Sequence, residues 1–254
     1  DCNLCQNNKN YDFFSKDEPV KGIAFRPYHK IIKHLKKIVA STNVKRFSFL
    51  DDNFIFDLVW LEKFLKSYKQ EVNLPFSCFV RADQINAKAL KFLKMAGCDC
   101  ICMGVESGSE YLRNDILNRE ISNETILSTS RMIHNHGINL LAFVIFGLPE
   151  ERIEDSFATI SLLKKMEPNF VLSSFFYPVY GTFLYWKYKN LIVKNKITSR
   201  SSPFLRNEHN MYFKNIYFLL PLVLRLSFPL WLIRILVNLP LHFLYKHCTF
   251  LYSS

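Results

Sequence analysis

Two groups of residues in this 254-residue chain have the types and spacing to do chemistry. The first is Cys2-Asn3-Leu4-Cys5 at the start of the sequence. A C-x-x-C pair suits zinc, a redox dithiol or an iron–sulfur cluster, since each needs thiolates close together on a short segment. Zinc would need a second such pair, and Cys98, Cys100 and Cys102 do not supply it. Alternating along one strand, those three are expected on a single face as small apolar core residues, and Cys78 and Cys248 read the same way. The second group lies in segments that each follow an apolar run: Asp51-Asp52-Asn53-Phe54, Arg81-Ala82-Asp83, Gly104 to Glu110, Phe146 to Glu151, and Tyr177 to Thr182. Taken singly these have plain explanations. Asp51 can cap a helix, and Gly108 or Gly147 can serve a turn. Together, at equivalent places along a repeat, they are candidates for one cavity.

The elements that must position them are legible. Apolar runs at Phe47–Leu50, Phe76–Val80, Cys100–Met103, Asn139–Ile145 and Asn169–Phe176 start about 25 to 40 residues apart, the spacing of a strand plus a crossover helix. Helical patterns lie between them: Trp60 to Tyr68, Ala87 to Ala96 with Gly97 as a C-terminal cap, a segment opened by Ser122 and stopped before Gly137, and Glu154 to Met166 closed by Pro168. Near-continuous apolar strands separated by helices predict a parallel α/β sheet. The right-handed crossover rule curls such a sheet into a full or partial barrel. Chemistry then belongs to the loops at the C-terminal ends of the strands, where the second group sits.

Composition narrows the class. With 49% hydrophobic and 22% charged residues the chain can bury a core and is not a low-complexity polymer. Lys and Arg number 33 against 22 Asp and Glu, a net charge of +11 that points to an anionic partner. In the stretch from Lys30 to Arg46, however, Lys33, Lys36 and Lys37 alternate with Ile31, Ile32, Leu35 and Ile38 at helical spacing, so they are read as the wet face of an amphipathic helix. No nucleic-acid-binding signature accompanies them, and nucleic acid is not expected as a partner. Seven cysteines, an odd number, argue against a secreted disulfide framework and for a reducing, cytoplasmic setting. The chain opens at Asp1 with no initiator Met and no signal-peptide pattern, and it reads as a piece of a longer protein.

The ordered set Cys2-x-x-Cys5, Phe49-Leu-Asp-Asp-Asn-Phe54, Leu74 to Asp83, Ala96-Gly97, Met103 to Glu110, Leu117-Asn-Arg119, Gly147-Leu-Pro149 and Tyr177 to Thr182 resembles the radical SAM superfamily. More narrowly, it resembles the branch that usually carries a cobalamin-binding domain ahead of the barrel. The resemblance runs from Asp1 to about Trp186. It implies a partial (β/α)6 TIM-like barrel holding the second to sixth strands, with residues 1–190 as the radical SAM core and 191–254 as a basic, apolar helical tail. Cys2 and Cys5 match the last two cysteines of the C-x-x-x-C-x-x-C cluster motif; the first is expected three residues before Asp1, along with the first strand.

From the resemblance come the cofactors and roles. Three thiolates hold a [4Fe–4S] cluster with one open iron, which S-adenosylmethionine chelates before reductive cleavage to a 5′-deoxyadenosyl radical. Leu4 matches a position near adenine. Asp51 and Asp52 match the segment that meets the methionine amine. Glu106 and Ser107 match contacts to ribose or the methionine end, and Arg119 matches a partner for the methionine carboxylate. Phe146, Gly147 and Leu148 match the segment whose backbone faces adenine, while Arg81 faces the cavity toward cofactor or substrate. The branch implies radical modification such as methylation, with cobalamin on an N-terminal domain and an electron donor such as flavodoxin or ferredoxin. The apolar tail suggests a lipid-like substrate.

Family members commonly have Gly-Leu-Pro-Gly after the fifth strand where this chain has Gly147-Leu-Pro-Glu150, which puts the adenine contact in question. With only two cluster thiolates the given chain is expected to be inactive. From Met211 to Tyr252 the tail is rich in Leu, Phe, Ile and Trp but is interrupted by Pro221, Arg225, Pro229, Arg234 and Pro240, so no spanning helix is expected. Short amphipathic helices could lie on the inner face of a membrane, or pack on the barrel or an N-terminal domain. Two other functions stay open: a degenerate barrel without a cluster, acting as a membrane-associated binding module, and a metal-dependent barrel lyase.

Overall fold

Strands form where short apolar runs are buried on the helix side of a sheet, and helices where apolar residues recur every three or four positions. The computed structural model describes Asn3 and residues 26–191, 207–226 and 228–240. Its elements are α1 (Tyr28–Ser41), β1 (Phe47–Phe49), α2 (Leu58–Glu71), β2 (Phe76–Val80), α3 (Ala87–Ala96) and β3 (Cys98–Glu106). A π-helical turn (Leu112–Ile116) leads to α4 (Asn123–Asn135), β4 (Asn139–Phe146), α5 (Ile153–Met166) and β5 (Phe170–Phe175). After β5 come α6 (Phe183–Tyr188), α7 (Asn207–Arg225) and α8 (Leu230–Asn238). Caps fix the helix starts: Asp57, Asn86 and Ser122 each accept backbone N–H bonds from the first turn that follows. Gly97 ends α3 at φ 101°, as its position in the sequence predicted.

The five strands pair in chain order and are all parallel, curling into a half-barrel with helices on its convex side. The core lies between strands and helices. Its aromatic share is packed around Phe49, whose ring centroid lies 5.4 Å from Phe76 and 5.6 Å from Phe64 in edge-on contacts. The lysines of α1 are exposed while Ile32 and Leu35 are buried, so the basic helix presents a wet face.

The cysteine alternation is corrected by the structure. Phe76 is paired with Cys98 but Ser77 with Cys100, so Asp99 is an extra residue in β3. This bulge puts Cys98 and Cys100 on opposite faces. Cys98 joins Ile101, Met103 and Val105 in the helix-side core, whereas Cys100 and Cys102 alternate onto the concave face. All of these thiols are buried and unbridged, as small core residues would be.

The tail helices pack on the barrel. Phe213, Ile216, Leu220 and Val223 of α7 and Ile233 and Val237 of α8 are buried in the same core as the strands. Buried Asn215 donates from Nδ2 to the carbonyls of Val237 and Leu239, at 2.9 and 2.8 Å, and so ties the end of α8 to α7. The Arg234 guanidinium lies 4.6 Å from the centre of the Phe157 ring, while Trp231 and Ile235 stay exposed. Among the described residues no helix is long and apolar enough to cross a membrane. Leu220→Ala is expected to lower unfolding free energy by about 2–5 kcal/mol in a single transition of the whole barrel. Urea denaturation followed by circular dichroism checks this; an unchanged barrel midpoint would show that α7 is not part of the core.

Candidate active site

The C-terminal end of β3 is where the sheet departs from regularity. The register of β3 on β4 shifts between Gly104 and Glu106, and Glu106 itself takes a left-handed φ of 64°. That conformation is costly for a residue with a Cβ and persists only when its surroundings over-determine it. Here the carboxylate accepts from Arg119 Nη1 at 2.5 Å, with both side chains only 12% exposed. Burial pushes the Glu106 carboxyl upward, and Arg119 opposes that shift. A Cβ on Gly104 would stand 2.6 Å from Glu106 Oε1 and 3.3 Å from Arg119 Nη2, so a side chain there would displace the pair. Arg119 also reaches the Gly104 carbonyl at 3.5 Å, yet its Nε is buried without a hydrogen-bond partner.

Neighbouring strand ends converge on this pair. Arg81, just past β2, forks onto Asp83 with contacts of 3.1 and 3.0 Å and also donates to the Arg119 carbonyl at 3.4 Å. After β1, the Asn53 amide donates to Gln84, while its Oδ1 is buried and unmatched. Asp51 and Asp52 are exposed beside it. Asn3 docks onto the π-helical turn: its backbone N–H donates to Leu117 O at 2.9 Å and its Nδ2 to Ile116 O at 3.0 Å. Cys2, Leu4 and Cys5, its sequence neighbours, lie outside the described residues.

The β4 end forms the opposite rim. Phe146 is buried and its carbonyl accepts from Phe176 N–H at 2.8 Å. Gly147 turns the chain at φ 73°, and Leu148 is buried with Leu112, Leu117, Phe176 and Leu184 in a small second apolar cluster. The Leu148 N–H donates to Glu151 at 2.9 Å, and Ser156 Oγ donates to the other carboxylate oxygen at 2.6 Å. Glu150 stands at φ 66° where the resembled family has glycine, and the hydroxyls of Tyr111 and Tyr188 each donate to its carboxylate at 2.5 Å.

The structure therefore brings Glu106, Arg119 and Arg81 together. It places Asp51 and Asp52 at the neighbouring strand end, with Phe146, Gly147 and Leu148 along the β4 rim. Ser107 is turned elsewhere: buried, it faces Thr159 of α5 at 3.4 Å and accepts from the Ser109 N–H at 3.2 Å. The loop following it presses on that helix, since a Cβ on Gly108 would stand 2.4 Å from Ala158 O. Sequence reasoning placed Asn53, Glu150 and Glu151 in its candidate loops without giving them roles, and it missed Arg113. The methionine end of S-adenosylmethionine carries a carboxylate and an ammonium. An unmatched guanidinium N–H and an unmatched amide oxygen at nearby strand ends fit that pair. Among the described residues no three His, Cys, Asp or Glu side chains converge to hold a metal ion.

Burial pushes the Glu151 carboxyl from 4.5 up to about 8. A carboxyl raised in the fold binds its proton more tightly there than in the unfolded chain, so stability falls as pH rises between those two values. Glu151→Gln is expected to flatten that fall. Unfolding free energies measured at about pH 5 and 8 check it, and an unchanged slope would contradict it.

The model of the Radical SAM superfamily matches residues 1–163. An uncharacterized methyltransferase of Pyrococcus horikoshii is 26% identical over 160 residues, covering 63% of this chain and 34% of that one, so the chain spans about a third of that relative. Among solved structures, the radical S-adenosylmethionine methyltransferase TsrM from Kitasatospora setae, with cobalamin and a [4Fe–4S] cluster bound, superposes with a TM-score of 0.57 at 12% identity, over 73% of this chain and 42% of that one. Methylornithine synthase gives 0.56 at 17%, over 72% and 51%. The cobalamin-dependent radical enzyme OxsB gives 0.52 at 18%, over 74% and 27%. These structural likenesses speak for the fold.

Proposed function

The chain belongs to the radical SAM superfamily, whose members use a [4Fe–4S] cluster and S-adenosylmethionine, and from that premise we propose that the barrel mouth binds S-adenosylmethionine for radical modification of an apolar substrate. One observation carries the reading: a half-buried Arg119 paired to Glu106 at the end of β3, with its buried Nε without a hydrogen-bond partner among the described residues. In this reading Arg119 Nε takes the methionine carboxylate, while Asn53 Oδ1 and the carboxylates of Asp51 and Asp52 receive the ammonium group. The backbone of Phe146, Gly147 and Leu148 borders adenine, with Leu4 near it. Ser107 and Arg81 hold their neighbours in place, and Cys2 and Cys5 supply cluster thiolates. When bound, the cluster supplies the electron that cleaves the sulfonium to methionine and a 5′-deoxyadenosyl radical.

The chain's own residues supply the setting. Glu106 keeps the Arg119 fork oriented and half neutralised, so that it can accept one more anion without a bare buried cation. On the concave face Phe79 and Phe143 stack at 5.4 Å and Leu172 is exposed beside them. That apolar patch suits an apolar or lipid-like substrate. Methyl transfer, a cobalamin-bearing domain and a flavodoxin- or ferredoxin-type electron donor are proposed for the whole protein, supported by the methyltransferase and cobalamin-dependent relatives.

Arg119→Met in the anaerobically reconstituted full-length protein is expected to weaken S-adenosylmethionine binding by about 10- to 100-fold, read by equilibrium dialysis. Glu106→Gln should weaken it less, because the guanidinium stays in place. Wild-type affinity in Arg119→Met would sink the assignment.

A further inference from the structure

Between β3 and α4 the chain runs through residues 107–122 with one π-helical turn and two left-handed residues, Asn118 at φ 55° and Glu120 at φ 51°. Such a segment has little regular structure to hold it, yet it bears Arg119 and receives Asn3 from the cysteine segment. Its anchor is Arg113, which among the described residues is the charged side chain buried completely. Nη1 donates to Ser107 O at 2.6 Å, Nε to Ile121 O at 2.7 Å and Nη2 to Asn123 Oδ1 at 2.9 Å. The nearest carboxylate, that of Glu110, is 3.7 Å away and 49% exposed. Burial draws the guanidinium down to about 10, so it remains charged at neutral pH.

A buried cation costs several kcal/mol unless its donors are met, and here the acceptors are chiefly parts of this loop. Ser107 directly follows Glu106, and Ile121 lies two residues after Arg119. The Arg119 N–H in turn donates to Arg113 O at 3.1 Å. The carbonyls that hold Asn3, those of Ile116 and Leu117, belong to the same turn.

We propose that Arg113 is a positioning residue: it fixes the loop that carries Arg119 to Glu106 and on which Asn3 docks, and so supports binding of both S-adenosylmethionine and cluster iron. The inference rests on the function proposed above. Arg113 acts through the Ser107 and Ile121 carbonyls that its guanidinium holds and through its own carbonyl, which accepts from the Arg119 N–H. The guanidinium fork spans three acceptors that a lysine ammonium, a single point charge, cannot span in the same plane.

The test uses the full-length protein after anaerobic reconstitution. Arg113→Met and Arg113→Lys are each expected to lower bound iron per chain and weaken S-adenosylmethionine binding by about tenfold, the scale for partners that orient ligands. Ser130→Ala is the control. It removes a buried hydroxyl that donates to Met166 O at 2.6 Å on the far side of α4, and it should lower the melting temperature without changing either readout. Should Arg113→Met not fold, Asn123→Ala and Asn3→Ala decide the matter, with about threefold weaker binding expected from Asn3→Ala, which loses one side-chain hydrogen bond, and more from Asn123→Ala, which loses two. Wild-type iron content and affinity in these variants, or an equal loss of affinity in Ser130→Ala, would overturn the proposal. If the wild-type protein takes up iron but binds no S-adenosylmethionine, the proposed function fails instead.

Discussion

An arginine and a glutamate held together in partial burial bind each other, because removing either leaves the other's charge poorly solvated. The Glu106–Arg119 contact imposes this constraint on the mouth of the barrel. Glu106 accepts a left-handed backbone, and β3 shifts register on β4. Gly104 surrenders a side chain to make room. The loop beyond β3, held by Arg113, returns Arg119 to direct contact with a carboxylate thirteen residues before it in sequence. What remains unsatisfied after all this is one guanidinium N–H, and that is the feature a carboxylate ligand would complete.

The opposite rim is braced by a different device. Glu150 keeps the left-handed conformation that glycine adopts more cheaply, and two tyrosine hydroxyls compensate. Tyr111 comes from the loop beyond β3 and Tyr188 from α6, so one carboxylate joins the ends of β3 and β4 to the helix after β5. The hydrogen bonds hold the Glu150 carboxyl below its usual range, and it stays ionised as their acceptor. Glu150 therefore keeps the turn and adds a tie across the mouth.

Much of this could be read from residue order. Strands such as Phe76–Val80 and helices such as Ala87–Ala96 were visible because apolar period and caps agree, and the family resemblance rested on short motifs in sequence order. Residues without a periodic or motif signal were invisible. Arg113 sits among Leu112 and Ile116 like any solvent-facing arginine on a helix, and only the fold reveals that carbonyls surround it. The Asp99 bulge broke an alternation that three cysteines at even spacing had made look regular. Ser107 was chosen by motif, but its direction depends on how closely Gly108 approaches α5. Such features arise from tertiary contact and leave no local trace.

The most direct measurement is product analysis of the reconstituted full-length protein supplied with S-adenosylmethionine and a strong reductant under anaerobic conditions. The account predicts 5′-deoxyadenosine and methionine in equal amounts, dependent on the reductant and lost when Cys2 and Cys5 are replaced by alanine. A protein with its cluster spectroscopically intact that leaves S-adenosylmethionine whole would contradict it.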